Sequence, residues 1–234
     1  MRPANSPPGL NRHHAKFRGD SRREFGMLER PLHFLGNFSA TVTCAAMKLN
    51  FRQLTITSII CGFFLIPIHE FGHVICDWIT GHPAGMSYAR DYLLSGGDTP
   101  FLGLLGGPLL PLLLSAVSVV FIYRRNNLSI FYPVAILGTL DRLVLYLAGM
   151  LPSDEKSLAG MAGWNMYAFR DIFLSAEVVL LLLVLISLIR YKIGVKHAIL
   201  VFAIPLLSFV VGACFGFLVV ERYVFPAQFK IQFG

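Results

Sequence analysis

Charge is what this sequence of 234 residues has least of: 14% of it is Asp, Glu, Lys or Arg, against roughly 25% in an ordinary soluble domain. That shortfall argues against a water-soluble globule. Cysteine is scarce as well. Cys44, Cys61, Cys76 and Cys214 show no CxxC spacing, so neither a disulfide framework nor a thiolate zinc knuckle is indicated, and all four read as small apolar fillers. There are no internal repeats and no low-complexity tract. Residues 1–46 lack the continuous apolar core and small-residue cleavage site of a signal peptide.

What is abundant is apolar sequence, at 55% of residues with a mean hydropathy of +0.64. The net charge is +7, and six of those units fall in the first 52 residues. A short basic head therefore precedes a nearly neutral apolar body, which excludes a nucleic-acid binder and leaves a membrane protein. Residues 1–46 read as a disordered or peripheral segment and 47–234 as the membrane domain. Met47, followed by Lys48, Leu49, Asn50, Phe51 and Arg52, looks like the start of a membrane protein, and we expect translation to begin there. N-terminal sequencing of the natural protein checks this.

Crossing about 30 Å of hydrocarbon takes about 20 helical residues. Runs of that order lie near 54–79, 100–123, 129–151, 171–190 and 197–220, and their lack of two-residue alternation selects helices over a barrel. The expected fold is all-α: a polytopic membrane protein of about five transmembrane helices in the lipid bilayer. The Gly- and Pro-containing polar stretch 81–99 leaves room for a re-entrant loop after the first. A cytoplasmic N-terminus places fourteen basic residues inside and five outside, or seven against five without residues 1–46. Asn127-Leu128-Ser129 matches a glycosylation acceptor, but Arg124 and Arg125 beside it favour the cytoplasmic side.

The chemistry is concentrated in the first span, in His69-Glu70-Phe71-Gly72-His73. Residues four apart share a helix face, so two imidazoles can converge on one metal ion while Glu70 reaches a metal-bound water. Zinc lowers that water's pKa towards 7, and the carboxylate can take its proton as a carbonyl is attacked. Random arrangement of the seven His and six Glu gives the pattern about 0.005 times per chain. Three ionisable groups in five intramembrane residues also require a polar cavity or a metal. A hydrogen-bonded cluster tying helices together is the blander explanation.

In its hydrophobic helix this pattern resembles the site-2 protease family of intramembrane zinc metallopeptidases. The similarity extends over about residues 54–170, through Gly106-Gly107-Pro108 and Leu151-Pro152-Ser153-Asp154. The resemblance implies that His69, His73 and a downstream aspartate hold Zn2+, that Glu70 is the catalytic base, and that membrane protein substrates are cleaved.

Three acids compete as third ligand. Asp154 occupies the position the resemblance implies, though Glu155 follows it where the family carries Gly. At 1.5 Å per residue it lies about 21 Å from the midpoint of its span, against about 10 Å for His73, unless Pro152 folds the chain back. Asp141 lies about 9 Å deeper than His73 and precedes Arg142, which offers it an ion pair. Asp77 shares the face of His73 but lies about 12 Å from His69 along the axis; it reads as support for His73 or as an interfacial acid beside Trp78. Asp154 is the favoured ligand. Gly106-Gly107-Pro108 reads equally as a break in the second span or as small-residue helix packing. His82, His197, His13, His14 and His33 have no partner at ligand spacing, and Glu177 inside the fourth span has no assigned role. A non-catalytic metal-binding or scaffold protein is the alternative reading.

Overall fold

The structure is a computed structural model and describes residues 49–124, 129–224 and 231–233. The basic segment 1–46, the expected start at Met47 and the Asn127-Leu128 part of the acceptor pattern lie outside the described residues. Among the described residues there are six α-helices. The first, α1 (Phe51–Ile79), begins where the Asn50 side chain accepts the Gln53 N–H at 3.2 Å, filling one of the donors a helix start leaves open. The Asn50 N–H in turn donates to Ser129 Oγ at 2.7 Å.

After α1 the chain forms β1 (Ala84–Met86) and β2 (Asp91–Leu93), an antiparallel hairpin with Ala84 opposite Leu93 and Met86 opposite Asp91. Then follow α2 (Phe101–Arg124), α3 (Phe131–Leu147), α4 (Ser153–Ala162), α5 (Ala168–Arg190), α6 (Val195–Phe215) and a π-helical extension, Gly216–Val224. The last strand, β3 (Ile231–Phe233), pairs antiparallel with the free side of β1, Ala84 facing Phe233, so the sheet order is β2-β1-β3.

Four of these helices are long and apolar enough to cross a membrane: α1, α2, α5 and α6 with its extension. Large apolar side chains such as Ile59, Leu182 and Leu207 face outward from them, as they would against lipid, and together these features suggest a membrane protein. The third expected span, 129–151, is shorter than its apolar run. It folds as the 17-residue α3, about 25 Å long, and the chain then turns through Gly149, whose φ is +74°, and Pro152 into α4.

Two buried clusters mark the two ends of the bundle. Leu54, Ile122, Tyr132, Ile136, Val184 and Val201 fill one; Tyr146, Leu158, Phe169 and Phe173 fill the other. Between α1 and α2 the backbones nearly touch, because a β-carbon at Gly72 or Gly106 would run into the facing carbonyl. α2 continues through Pro108 and Pro111 without interruption, so Gly106 and Gly107 act in packing and do not break the span.

A proline also explains how the hairpin is held. Pro67 has no N–H, so the Phe63 carbonyl four residues earlier loses its helical donor. Tyr88, at the hairpin turn, donates its hydroxyl to that carbonyl at 2.7 Å and approaches the Gly212 carbonyl at 3.3 Å. Gly216 makes room for the ring, since a β-carbon there would overlap it. Glu221 completes the clamp, accepting from Ser87 Oγ at 2.9 Å and from the Ala89 N–H at 3.3 Å. Phe63 lies about 24 Å back along the axis from Ile79. The hairpin therefore descends beside the middle of α1.

Candidate metal centre

One helical turn separates His69 from His73, and both imidazoles are buried between α1 and its neighbours. Each ring has its Nδ1 engaged. His73 Nδ1 lies 2.8 Å from the Gly103 carbonyl, which can only accept, so that nitrogen carries the proton and Nε2 keeps a lone pair. His69 Nδ1 faces Asp141 Oδ2 at 3.3 Å, an arrangement that orients the ring in the same way. Gly107 contributes space: a β-carbon there would collide with the His73 ring.

The two Nε2 atoms lie 3.3 Å apart. Asp154 Oδ2 closes the triangle, 3.3 Å from His69 Nε2 and 3.6 Å from His73 Nε2. The depth arithmetic for Asp154 assumed a chain continuing straight from the third span. The turn at Gly149 and Pro152 reverses it, and α4 begins with Ser153 and Asp154 directed back at the histidines. Burial raises the Asp154 pKa, but the contacts with His69 and His73 and the Arg142 charge outweigh it and hold the carboxyl well below the usual carboxylate range. His69, His73 and Asp154 form a group that can hold a metal ion.

The other two candidate acids stand elsewhere. Asp141 meets His69 on its Nδ1 side, away from the triangle. Asp77 is wholly buried, and neither of its oxygens has a hydrogen-bond partner among the described residues. Its carboxylate occupies the space left by the absent side chain of Gly103. The interfacial reading of Asp77 is therefore corrected: Trp78 is exposed, but Asp77 is turned inward because α2 covers that face. His82 is exposed beside Thr80, and His197 packs on Phe51.

Glu70 faces a cavity of about 430 Å³ bordered by His69, His73, Asp91, Arg142 and Asp154. Glu70, His73 and Asp91 form a second group close enough to share an ion. The hairpin supplies Asp91, and no sequence spacing points to it.

Arg142, expected only as a partner for Asp141, stands at the centre. Its Nη2 donates to Asp154 Oδ2 at 2.5 Å and lies 2.5 Å from His69 Nε2. Its Nε lies 3.6 Å from Glu155 Oε1 and 3.8 Å from Asp141 Oδ2. Glu155 is fully buried and accepts the Tyr146 hydroxyl at 2.8 Å; its Oε2 has no partner among the described residues, nor has Oε2 of the buried Glu177. Sequence reasoning missed this network. Its one available signal was an arginine inside an apolar run, next to Asp141 and followed by acids at 154, 155 and 177.

Fold and site together define a helical protein with four apolar helices of membrane-crossing length and a His-His-Asp group that could hold a metal ion. No family model, curated protein or solved structure matches the chain.

Proposed function

We propose that this chain is an intramembrane zinc metalloprotease, hydrolysing peptide bonds of membrane-bound protein substrates, with a cytoplasmic N-terminus and with the β1–β2 hairpin as a re-entrant loop. The supporting observation is the donor triangle. Four-coordinate zinc with nitrogen and oxygen ligands at about 2.0–2.1 Å keeps neighbouring donors about 3.3 Å apart, and His69 Nε2, His73 Nε2 and Asp154 Oδ2 are separated by 3.3, 3.3 and 3.6 Å. The resemblance to site-2 proteases points the same way.

His69, His73 and Asp154 would hold the ion. Bound there, zinc would supply a water whose pKa is lowered towards 7 and an electrophile for the scissile carbonyl. Glu70, on the cavity wall one residue from His69, takes the proton of the attacking water and returns it to the leaving amine. Asp141 and the Gly103 carbonyl keep the two imidazoles oriented. A substrate helix must unwind locally, because an intact helix has every backbone amide hydrogen-bonded.

A second reading, a non-catalytic membrane protein that keeps the polar cluster for stability or partner binding, is favoured by Arg142, which joins His69, Asp154, Glu155 and Asp141 without help from an ion. Two measurements separate the readings. Purified protein should contain about one zinc per chain, and Glu70→Gln should retain the zinc and lose cleavage of a membrane substrate. Cleavage unchanged in that variant refutes the mechanism; protein that takes up no zinc leaves the second reading.

A further inference from the structure

The guanidinium of Arg142 and an ion at the donor triangle cannot share the site. Arg142 Nη2 lies 2.5 Å from both His69 Nε2 and Asp154 Oδ2, and those two atoms are 3.3 Å apart. An ion held about 2.1 Å from both would fall within about 3.2 Å of that nitrogen, whichever side of the pair it approached from. Guanidinium remains protonated and has no lone pair to offer. It can be neither a ligand nor a neighbour at that separation, so one cation must leave for the other to enter.

Somewhere for it to go already exists. Glu155 Oε2 is buried without a partner, although the other oxygen of the same carboxylate lies 3.6 Å from Arg142 Nε and accepts from Tyr146. Asp141 Oδ2 lies 3.8 Å from the same Nε and 3.3 Å from His69 Nδ1. Because Arg142 Nε already lies 3.6 Å from the Glu155 carboxylate, a swing of the guanidinium about its terminal torsions would turn an Nη atom from Asp154 towards Glu155.

Resting on the zinc reading above, we infer that Arg142 is a two-seat resident cation: one seat is on Asp154 and His69, the other on Glu155, and zinc binding drives it from the first to the second. The acid-rich centre then keeps a counter-charge at Asp154 in either arrangement, which a buried carboxylate requires. Glu155, which follows the ligand Asp154 directly, acquires a purpose as the receiving seat. Arg142 is in this sense a positioning residue. It sets how readily the site loads and what concentration of free zinc the protein needs.

Zinc affinity of the full chain in detergent, measured by competition with a chelator of known strength, tests this without any assay of cleavage. If the guanidinium occupies the first seat about nine-tenths of the time, its removal in Arg142→Met tightens zinc about tenfold. Glu155→Gln, which removes the second seat, weakens zinc several-fold in the Arg142 protein and has no effect when combined with Arg142→Met. An affinity in Arg142→Met equal to or weaker than that of the parent overturns the inference. So does a Glu155→Gln loss of equal size in both backgrounds, which would mean plain charge with no exchange of seats. Where Arg142→Met yields no folded protein, Glu155→Gln alone decides, and unchanged affinity overturns the inference. A parent chain that binds no zinc defeats the zinc reading itself; a parent that binds it with unmoved variants defeats only the exchange.

Discussion

Asp141 and Asp154 face the same imidazole from opposite nitrogens, and this separates their roles by chemistry. Asp154→Ala removes a donor from the triangle and should abolish stoichiometric zinc. Asp141→Ala removes the partner of His69 Nδ1 and a 3.8 Å contact to Arg142 Nε, and should keep the metal with affinity about 10–100-fold lower. Metal analysis of the two purified variants checks this, and equal loss in both would make Asp141 a ligand as well. Gly107→Ala should weaken zinc by displacing the His73 ring that a β-carbon would strike, whereas Gly160→Ala, with open space around it, should leave metal content unchanged. The histidine pair and Glu70 were legible in the sequence because one helical turn fixes their geometry locally. Arg142, Glu155 and Asp91 were not, since their meeting depends on how α3, α4 and the hairpin pack against α1.

Each apolar run foretold a helix, but lengths and turns escaped the pattern. The run 129–151 is apolar enough to suggest a full span, yet α3 ends at Leu147 because Gly149 adopts a left-handed conformation and Pro152 prevents continuation. That turn, a tertiary feature, is what returns Asp154 to the histidines. The hairpin was equally hidden, although Pro67 inside α1 advertised a carbonyl in need of a donor. Tyr88→Phe withdraws that donor and should cost about 1–3 kcal/mol of stability. In a Pro67→Ala background the backbone N–H returns and the same substitution should cost much less. A thermal or denaturant double-mutant cycle in detergent reads the difference, and identical costs in both backgrounds would break the link between the proline and the tyrosine.

For the molecule as a whole, low charge and high hydropathy pointed to a bilayer, and four helices of spanning length agree with that. The chain should accordingly stay with the membrane pellet after alkaline carbonate washing and appear in solution only with detergent; release by carbonate alone would contradict residence in lipid. Composition could not reveal which distant parts of the chain meet. β1 sits between β2 and β3, and the turn carrying Tyr88 is gripped by Glu221, more than a hundred residues further on. A chain made from its N-terminus forward therefore has His69, Glu70 and Asp91 in place long before Glu221 and Ile231–Phe233 exist to secure the wall beside them. Closure of the cavity wall thus waits on a segment made more than a hundred residues after the histidine pair, and a chain cut before Glu221 would carry the donor triangle with its hairpin unclamped.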